Sequence, residues 1–229
     1  MILLARLLSV ERKGVMSLRC GRRSDERLIL EVLKGSVLGF ERNTIGFPVQ
    51  LQSLPDLLRT MIKRLAAREL KTRFGTFTEI LYSDGQAESI AIVMGDVADA
   101  TDVLCRVHSH CIGAHVFNSI ECTCREEMEA AQAMIEREGR GVIIWLDQEG
   151  KGNGHLALMQ SIPFKKEFGQ AEAYVRAGYK ADARNYSAAA QILNELGVKS
   201  IVLLANSESK AEDLRNEGIA VSSMRELLV

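Results

Sequence analysis

The stretch VLCRVHSHCIGAHVFNSIECTCR, residues 103–125, holds the features that decide the fold of this chain. Its first five residues, Val103 to Val107, predict a strand. Three cysteines then follow at a spacing of C-x10-C-x-C, and the apolar periodicity of residues 124–138 predicts an amphipathic helix. Gly139 and Gly141 end that helix, and residues 142–146 predict a buried strand. A strand, a helix and a second strand thus surround the cysteines.

The sequence on either side extends this pattern. Before it, residues 74–78 and 89–94 predict strands. After it, a helix is predicted over 187–196, a strand over 200–204 and a last helix over about 210–217. Strands come first and β/α units come later, which predicts an α+β or mixed α/β fold.

The first 63 residues are predicted to form a separate N-terminal extension with a packing or oligomerisation role, followed by one domain over 64–229. Residues 28–33 predict a strand in this extension. Leu57, Leu58, Met61, Ile62 and Leu65 recur at helical spacing, so a helix is predicted from Leu57 to Leu70.

Composition excludes several classes of function. The 229 residues carry a net charge of −1, which argues against a general nucleic-acid surface. The apolar start is too short for a secretory signal, and no later run is long enough to span a membrane. Five cysteines without a secretory signal favour metal binding in a reducing cytoplasm over a disulfide framework.

The cysteines Cys111, Cys122 and Cys124 are the first candidate site. Three of the five cysteines within fourteen residues, among polar neighbours, favour a zinc site over small buried core residues. Three protein ligands would leave a coordination position for water, as in hydrolytic sites. A fourth ligand would instead close the site and make it structural, and the candidates are His108, His110 and His115.

Two further segments suggest phosphate binding. Residues 147–154, DQEGKGNG, follow a predicted buried strand; the glycines permit close backbone approach and Lys151 supplies a cation. The alternative to phosphate binding is that residues 147–154 form only a polar turn between a strand and a helix. Asp182 and Arg184 alone are typical of a surface ion pair, and Lys210 follows another predicted strand, where it is either a phosphate ligand or a solvated side chain.

Four ordered motifs together resemble the GTP cyclohydrolase II family. They are Arg106-Val107-His108-Ser109-x-Cys111, Phe117-x-Ser119-x-x-Cys122-x-Cys124, Gln148-Glu149-Gly150 and Ala181-Asp182-x-Arg184. The resemblance runs from about Arg68 to the C-terminus. It implies an enzyme that opens the imidazole ring of GTP, releasing formate and pyrophosphate, and a core of mixed sheet with flanking helices.

The resemblance also implies roles for individual residues. Cys111, Cys122 and Cys124 match the zinc ligands, Arg184 the residue assigned as nucleophile toward the α-phosphate, and Asp182 the assigned proton acceptor. Because a guanidinium stays protonated near neutral pH, a purely electrostatic role for Arg184 is simpler. Mg²⁺ with the triphosphate and a homodimer are also implied. The residues that match nucleotide-binding positions are Arg106, Val107, His108, Ser109, His110, Glu127, Glu149, Gly150, Lys151, Ala205 and Lys210.

Departures from the family pattern leave two other functions open. Glu127 stands where the family has glutamine, Lys151 where it has arginine, and Arg125 where it has glycine. The family's tyrosine in the following helix is absent from residues 158–163, and Pro163 is expected to disturb that helix. One alternative is a paralogue that opens another heterocycle; the other is a nucleotide-binding relative with a closed zinc site.

Overall fold

A computed structural model of the chain describes residues 61–229, which form a mixed seven-stranded sheet with flanking helices. The strands are β1 (Lys63–Thr72), β2 (Gly75–Ser83), β3 (Glu88–Met94), β4 (Val103–Ser109), β5 (Gly141–Leu146), β6 (Ile201–Leu204) and β7 (Val221–Arg225). The helices are α1 (Ile112–His115), α2 (Cys124–Glu138), α3 (His155–Arg176), α4 (Ser187–Glu195) and α5 (Glu208–Asn216). The predicted α+β class is confirmed.

The order of the strands in the sheet is β1-β2-β3-β5-β4-β6-β7. The pairs β1–β2, β2–β3 and β3–β5 are antiparallel, whereas β4 lies parallel to both β5 and β6, and β6 lies parallel to β7. The parallel half of the sheet is formed by the β/α units around the cysteines. The antiparallel half is formed by the strands that precede them.

The predicted helix over Leu57–Leu70 is wrong for the residues that the structure describes. Residues from Lys63 onward form β1, which pairs with β2 from Lys63↔Ser83 to Thr72↔Gly75. Leucine, alanine, lysine and arginine favour helices when isolated, but the hairpin partner β2 overrides this local preference. Residues 1–60, with the predicted strand at 28–33 and most of the predicted extension, lie outside the described residues.

Alternation along β4 divides the core into two layers. Val103, Cys105 and Val107 lie in one buried cluster with residues of α4 and α5. Leu104 lies in a second cluster with Ala131 and Ile135 of α2. Because successive residues of a strand point to opposite faces, helices must cover both sides of β4. Strand β4 is therefore buried on both faces, from Val103 to His108.

Helix α3 differs from the sequence expectation in where it is interrupted. Pro163 lies inside the helix, and the non-helical backbone occurs instead at Gly169, with φ 73° and ψ 173°. Glycine adopts positive φ without a steric penalty, whereas the proline ring fixes φ near the helical value. None of the helices within residues 61–229 combines the length and the apolar character that a membrane span requires.

We predict that Ile135→Ala weakens folding because it removes the side chain by which α2 packs on the sheet. Ile135 is fully buried, so the loss in unfolding free energy should be about 2–5 kcal/mol. Ile120→Ala is the matched control, since Ile120 is 99% exposed and its loss should stay within about 0.5 kcal/mol. Urea denaturation measures both, and equal losses would contradict the assigned core.

Candidate active site

The ends of the parallel strands bring the candidate segments to one edge of the sheet. Strands β4, β5 and β6 end at Ser109, Leu146 and Leu204, and each is followed directly by a segment with candidate residues. His110 N–H donates to the Leu146 carbonyl at 2.9 Å, which joins the exits of β4 and β5. In open α/β sheets this carboxyl edge is where ligands bind.

The three cysteines of the C-x10-C-x-C spacing converge at this edge. Cys111 directly precedes α1, Cys124 is the first residue of α2, and all three Sγ atoms lie within 4.8 Å of one another. The Sγ atoms of Cys111 and Cys122 are 3.7 Å apart. Tetrahedral zinc with Zn–S bonds of about 2.3 Å requires sulfurs roughly 3.8 Å apart, so the cluster fits that ion.

The electrostatics of the cluster also favour a bound cation. Burial raises the pKa of both Cys111 and Cys124, and the neighbouring Cys122 raises each of them further. Thiolates packed this closely repel one another unless a cation offsets their charge. A metal ion that accepts thiolate ligands would supply that offset.

The three candidate histidines do not join the cysteines. Among residues 61–229, no histidine, aspartate or glutamate ligand atom belongs to the cluster. His110 Nδ1 lies 3.2 Å from an Asp147 carboxylate oxygen, and His115 Nδ1 lies 2.9 Å from the Cys111 carbonyl. His108 lies inside the fold, where burial first and the charge of Arg106 second lower its pKa to about 2. The arrangement thus favours an open coordination position.

Arg106 faces the protein interior. It is 5% exposed, its Nη1 donates to the Leu204 carbonyl at 3.0 Å, and its Nη2 donates to the Glu127 carboxylate. Glu127 also accepts a bond of 3.2 Å from Thr123 Oγ1. The guanidinium therefore links β4, β6 and α2. The side chain of Val107, the next residue in β4, is fully buried. Two predicted nucleotide-binding residues, Arg106 and Glu127, thus bind each other.

The loop after β5 has an unusual backbone that places Lys151 beside Asp182. Gly150, Lys151 and Gly152 have φ of 61°, 53° and 78°, a left-handed run that favours glycine. A Cβ atom on Gly152 would lie 2.7 Å from the backbone of Ala183, so the loop rests directly on that segment. Lys151 Nζ lies 3.8 Å from an Asp182 carboxylate oxygen.

Glu149 is buried and binds the protein rather than solvent. Its carboxylate accepts a hydrogen bond of 2.9 Å from the Ile112 N–H, at the start of α1. His155 Nδ1 lies 3.0 Å from its other oxygen. Glu149 therefore fixes the helix that follows Cys111, a role that depends on a tertiary contact and has no sequence signal.

Asp182 and Arg184 form a bidentate ion pair. Arg184 Nε donates at 2.9 Å to one carboxylate oxygen and Nη2 donates at 2.5 Å to the other. Burial alone would raise the pKa of Asp182, but the hydrogen bonds from Arg184 outweigh it and lower that pKa. Burial likewise opposes the charge of Arg184, yet Asp182 raises the pKa of the guanidinium. Both groups are therefore charged at neutral pH.

Lys210 is a buried amine among these charges. Its Nζ donates to the Val107 carbonyl at 3.0 Å. Its pKa is lowered to about 7, mainly by burial and also by the charges of Arg106 and Arg184, while those of Glu127 and Cys124 offset part of the effect. The pKa of this amine therefore depends on the charges of the cysteine cluster, of the Arg106–Glu127 pair and of Arg184. Ala205, at the end of β6, is buried and offers no polar side chain.

The predicted nucleotide-binding residue Ser109 and one residue that sequence reasoning missed, Tyr186, both carry hydroxyls that are buried without a hydrogen-bond partner among the described residues. The Tyr186 ring also lies 5.9 Å from the Arg184 guanidinium. Arg125, beside Cys124, donates to backbone carbonyls of α1. A tyrosine or arginine outside a motif gives no indication of such contacts, which only the folded chain creates.

The chain matches a family model and the sequences of known proteins. The family model described as GTP cyclohydrolase II matches residues 63–226. The riboflavin biosynthesis protein RibBA of Bacillus cereus is 39% identical over 184 residues, covering 76% of this chain and 46% of the relative. RibBA of Bacillus mycoides is 37% identical over 185 residues, covering 77% and 47%. The chain thus spans about half the length of these curated relatives.

A solved structure also matches. It is RibBX, a two-domain 3,4-dihydroxy-2-butanone 4-phosphate synthase from A. baumannii, with a TM-score of 0.41 and 19% identity. The match covers 96% of this chain and 52% of that one.

We predict that Gly152→Ala destabilises the protein more than Gly139→Ala. Gly139 has a left-handed φ of 72°, close to the 78° of Gly152, so each alanine costs about 1–2 kcal/mol of backbone strain. Only at Gly152 does the new Cβ also meet backbone, whereas at Gly139 nothing lies within 4 Å. Urea unfolding of the two variants gives the comparison, and equal losses would show that the loop does not rest on residues 182–184.

Proposed function

The chain belongs to the GTP cyclohydrolase II family, and we propose that it is a zinc-dependent hydrolase that opens the imidazole ring of GTP. Formate and pyrophosphate are the expected products, and riboflavin biosynthesis, named for the RibBA relatives, is the expected pathway. The observation that carries the proposal is the convergence of three cysteine thiols at the carboxyl edge of the sheet, with no histidine or carboxylate among the described residues completing the set.

In this proposal Cys111, Cys122 and Cys124 hold the zinc. When bound, the ion lowers the pKa of a coordinated water to about 7 and so supplies a nucleophile at neutral pH. The chain's own contribution is to keep three thiols within 4.8 Å of one another at the end of β4. Glu149 supports this arrangement by holding the N–H of Ile112, the residue after Cys111.

The triphosphate is proposed to bind positively charged side chains at the same carboxyl edge of the sheet. Lys151, Arg184 and Lys210 are the candidate phosphate ligands, with Mg²⁺ accompanying the phosphates. Because Asp182 raises the pKa of Arg184, a role for the guanidinium as a fixed positive charge is favoured over one as a nucleophile. A carboxylate of lowered pKa is a weak base, so orienting Arg184 is the favoured role of Asp182.

A second candidate function is the opening of a different heterocycle. It is favoured by the pairing of Arg106 with Glu127, because both terminal nitrogens of the guanidinium are then bound to protein groups and Glu127 offers only acceptor atoms. Formate release from GTP, followed by mass spectrometry of the product, separates the two candidates. Turnover of another nucleotide without formate from GTP would support the second candidate function and exclude the first.

We further propose that the protein is a homodimer in the reducing cytoplasm. Its proposed partner is a nucleotide rather than nucleic acid or a membrane.

We predict that Cys122→Ser abolishes both zinc binding and turnover, because a hydroxyl is a much poorer zinc ligand than a thiolate. Cys105→Ala is the matched control: Cys105 is buried in β4 and does not belong to the cluster. Metal content of the purified protein and formate release are the two readouts. A Cys122→Ser variant that retains full activity would remove the zinc mechanism.

We predict that nucleotide affinity weakens as the pH rises above about 7. The lowered pKa of Lys210 means that its amine is charged below pH 7 and increasingly neutral above it, whereas an anionic triphosphate favours the charged form. Binding must then take up a proton, which reduces affinity by up to about tenfold per pH unit. Calorimetric titration with a non-hydrolysable GTP analogue between pH 6 and 8.5 measures the trend.

Lys210→Met is the control for this pH dependence. The variant should bind more weakly at pH 6 and show a flatter profile, since the titrating amine is gone. The ligand's own phosphates titrate in the same way with both proteins, so subtracting one affinity profile from the other removes their contribution. Parallel profiles in both proteins would show that Lys210 is not the group concerned.

A further inference from the structure

Helix α1 is too short to hold its own position. It has four residues, Ile112–His115, and follows Cys111 directly. An isolated helix of this length is not stable, because the first hydrogen-bonded turn costs more conformational entropy than it gains. The position of the Cys111 thiol therefore depends on contacts made to this turn from elsewhere in the fold.

The structure supplies such contacts at both ends of the helix. At its start, Glu149 accepts the Ile112 N–H at 2.9 Å. At its end, Arg125 Nε and Nη2 donate to the Ala114 carbonyl at 2.9 and 2.6 Å, and Nη2 donates to the His115 carbonyl at 2.7 Å. The last carbonyls of a helix lack partners within the helix, and a guanidinium presents several donors in a fixed plane.

Arg125 connects two of the three cysteines. It is the residue after Cys124 in α2, and it binds the helix that follows Cys111. A rigid group thus joins the chain segment of one thiol to that of another. The family pattern has glycine at this position, which has no side chain to make such a connection.

We propose that Arg125 is a positioning residue that fixes the separation of Cys111 and Cys124 and thereby strengthens metal binding. The inference rests on the proposed zinc site. Groups that orient metal ligands without touching the metal typically contribute 10–100-fold to affinity. Removing the donors of Arg125 should therefore raise the zinc dissociation constant by a factor of about 10–100.

The variant to test is Arg125→Met, which keeps an unbranched side chain of similar helix propensity and removes every donor. Arg137→Met is the matched control, because Arg137 lies at the other end of α2 and, among residues 61–229, donates only to Ala133 in its own helix, at 3.3 Å. Arg125→Lys keeps one charged donor group and should have an intermediate affinity. Competition with a chromophoric zinc chelator measures the dissociation constants, and thermal unfolding of the zinc-free proteins shows that each is folded.

The outcomes separate this inference from the function on which it rests. Weaker zinc binding by Arg125→Met than by Arg137→Met, partly restored in Arg125→Lys, supports it. Equal zinc affinities in the two methionine variants overturn it, whatever happens to their thermal stability. If the wild type binds zinc but releases no formate from GTP, only the proposed reaction fails. If the wild type binds no zinc, both proposals fall.

Discussion

The guanidinium of Arg106 lies in the middle of the sheet, and burying a charge there costs several kcal/mol unless partners satisfy it. The fold meets most of this requirement with the Leu204 carbonyl from β6 and the Glu127 carboxylate from α2, while Nε has no hydrogen-bond partner among the described residues. Burial depresses the pKa of His108 and of Lys210, and the same cation lowers both further. The candidate site is thus arranged around one buried charge: Glu127 pairs with it, and the two nearby bases are held near or below neutrality.

This arrangement divides the predicted nucleotide-binding residues into two groups. Arg106, His108 and Glu149 are buried and bind other parts of the protein. Lys151 and Arg184 are more accessible and lie around Asp182 at the edge of the sheet. Contacts with a ligand are therefore expected from the second group, from the backbone of the glycine-rich loop and, under the proposed function, from the buried amine of Lys210. The first group holds β4, β6 and α1 in place.

Local sequence patterns predicted much of the fold but failed where pairing decides the structure. Helix α2 has the predicted bounds because its periodicity is strong and Gly139 ends it in a left-handed conformation. A helix was predicted across β1 because apolar residues recur there at helical spacing, and only the hairpin with β2 makes the segment extended. The spacing of the cysteines indicated a shared site, whereas the position of Cys111 depends on tertiary contacts to α1. The tertiary contacts of Glu149 and Arg125 cannot be read from any local pattern.

Strand β1 has a further consequence, which concerns association of folded molecules. It lies at the edge of the described sheet, and five of its ten residues are charged: Lys63, Arg64, Arg68, Glu69 and Lys71. An unpaired strand edge is a template on which another extended chain can add, and charged side chains oppose that addition. Within the sheet that the described residues form, the charges along β1 therefore oppose the addition of a further strand at this edge.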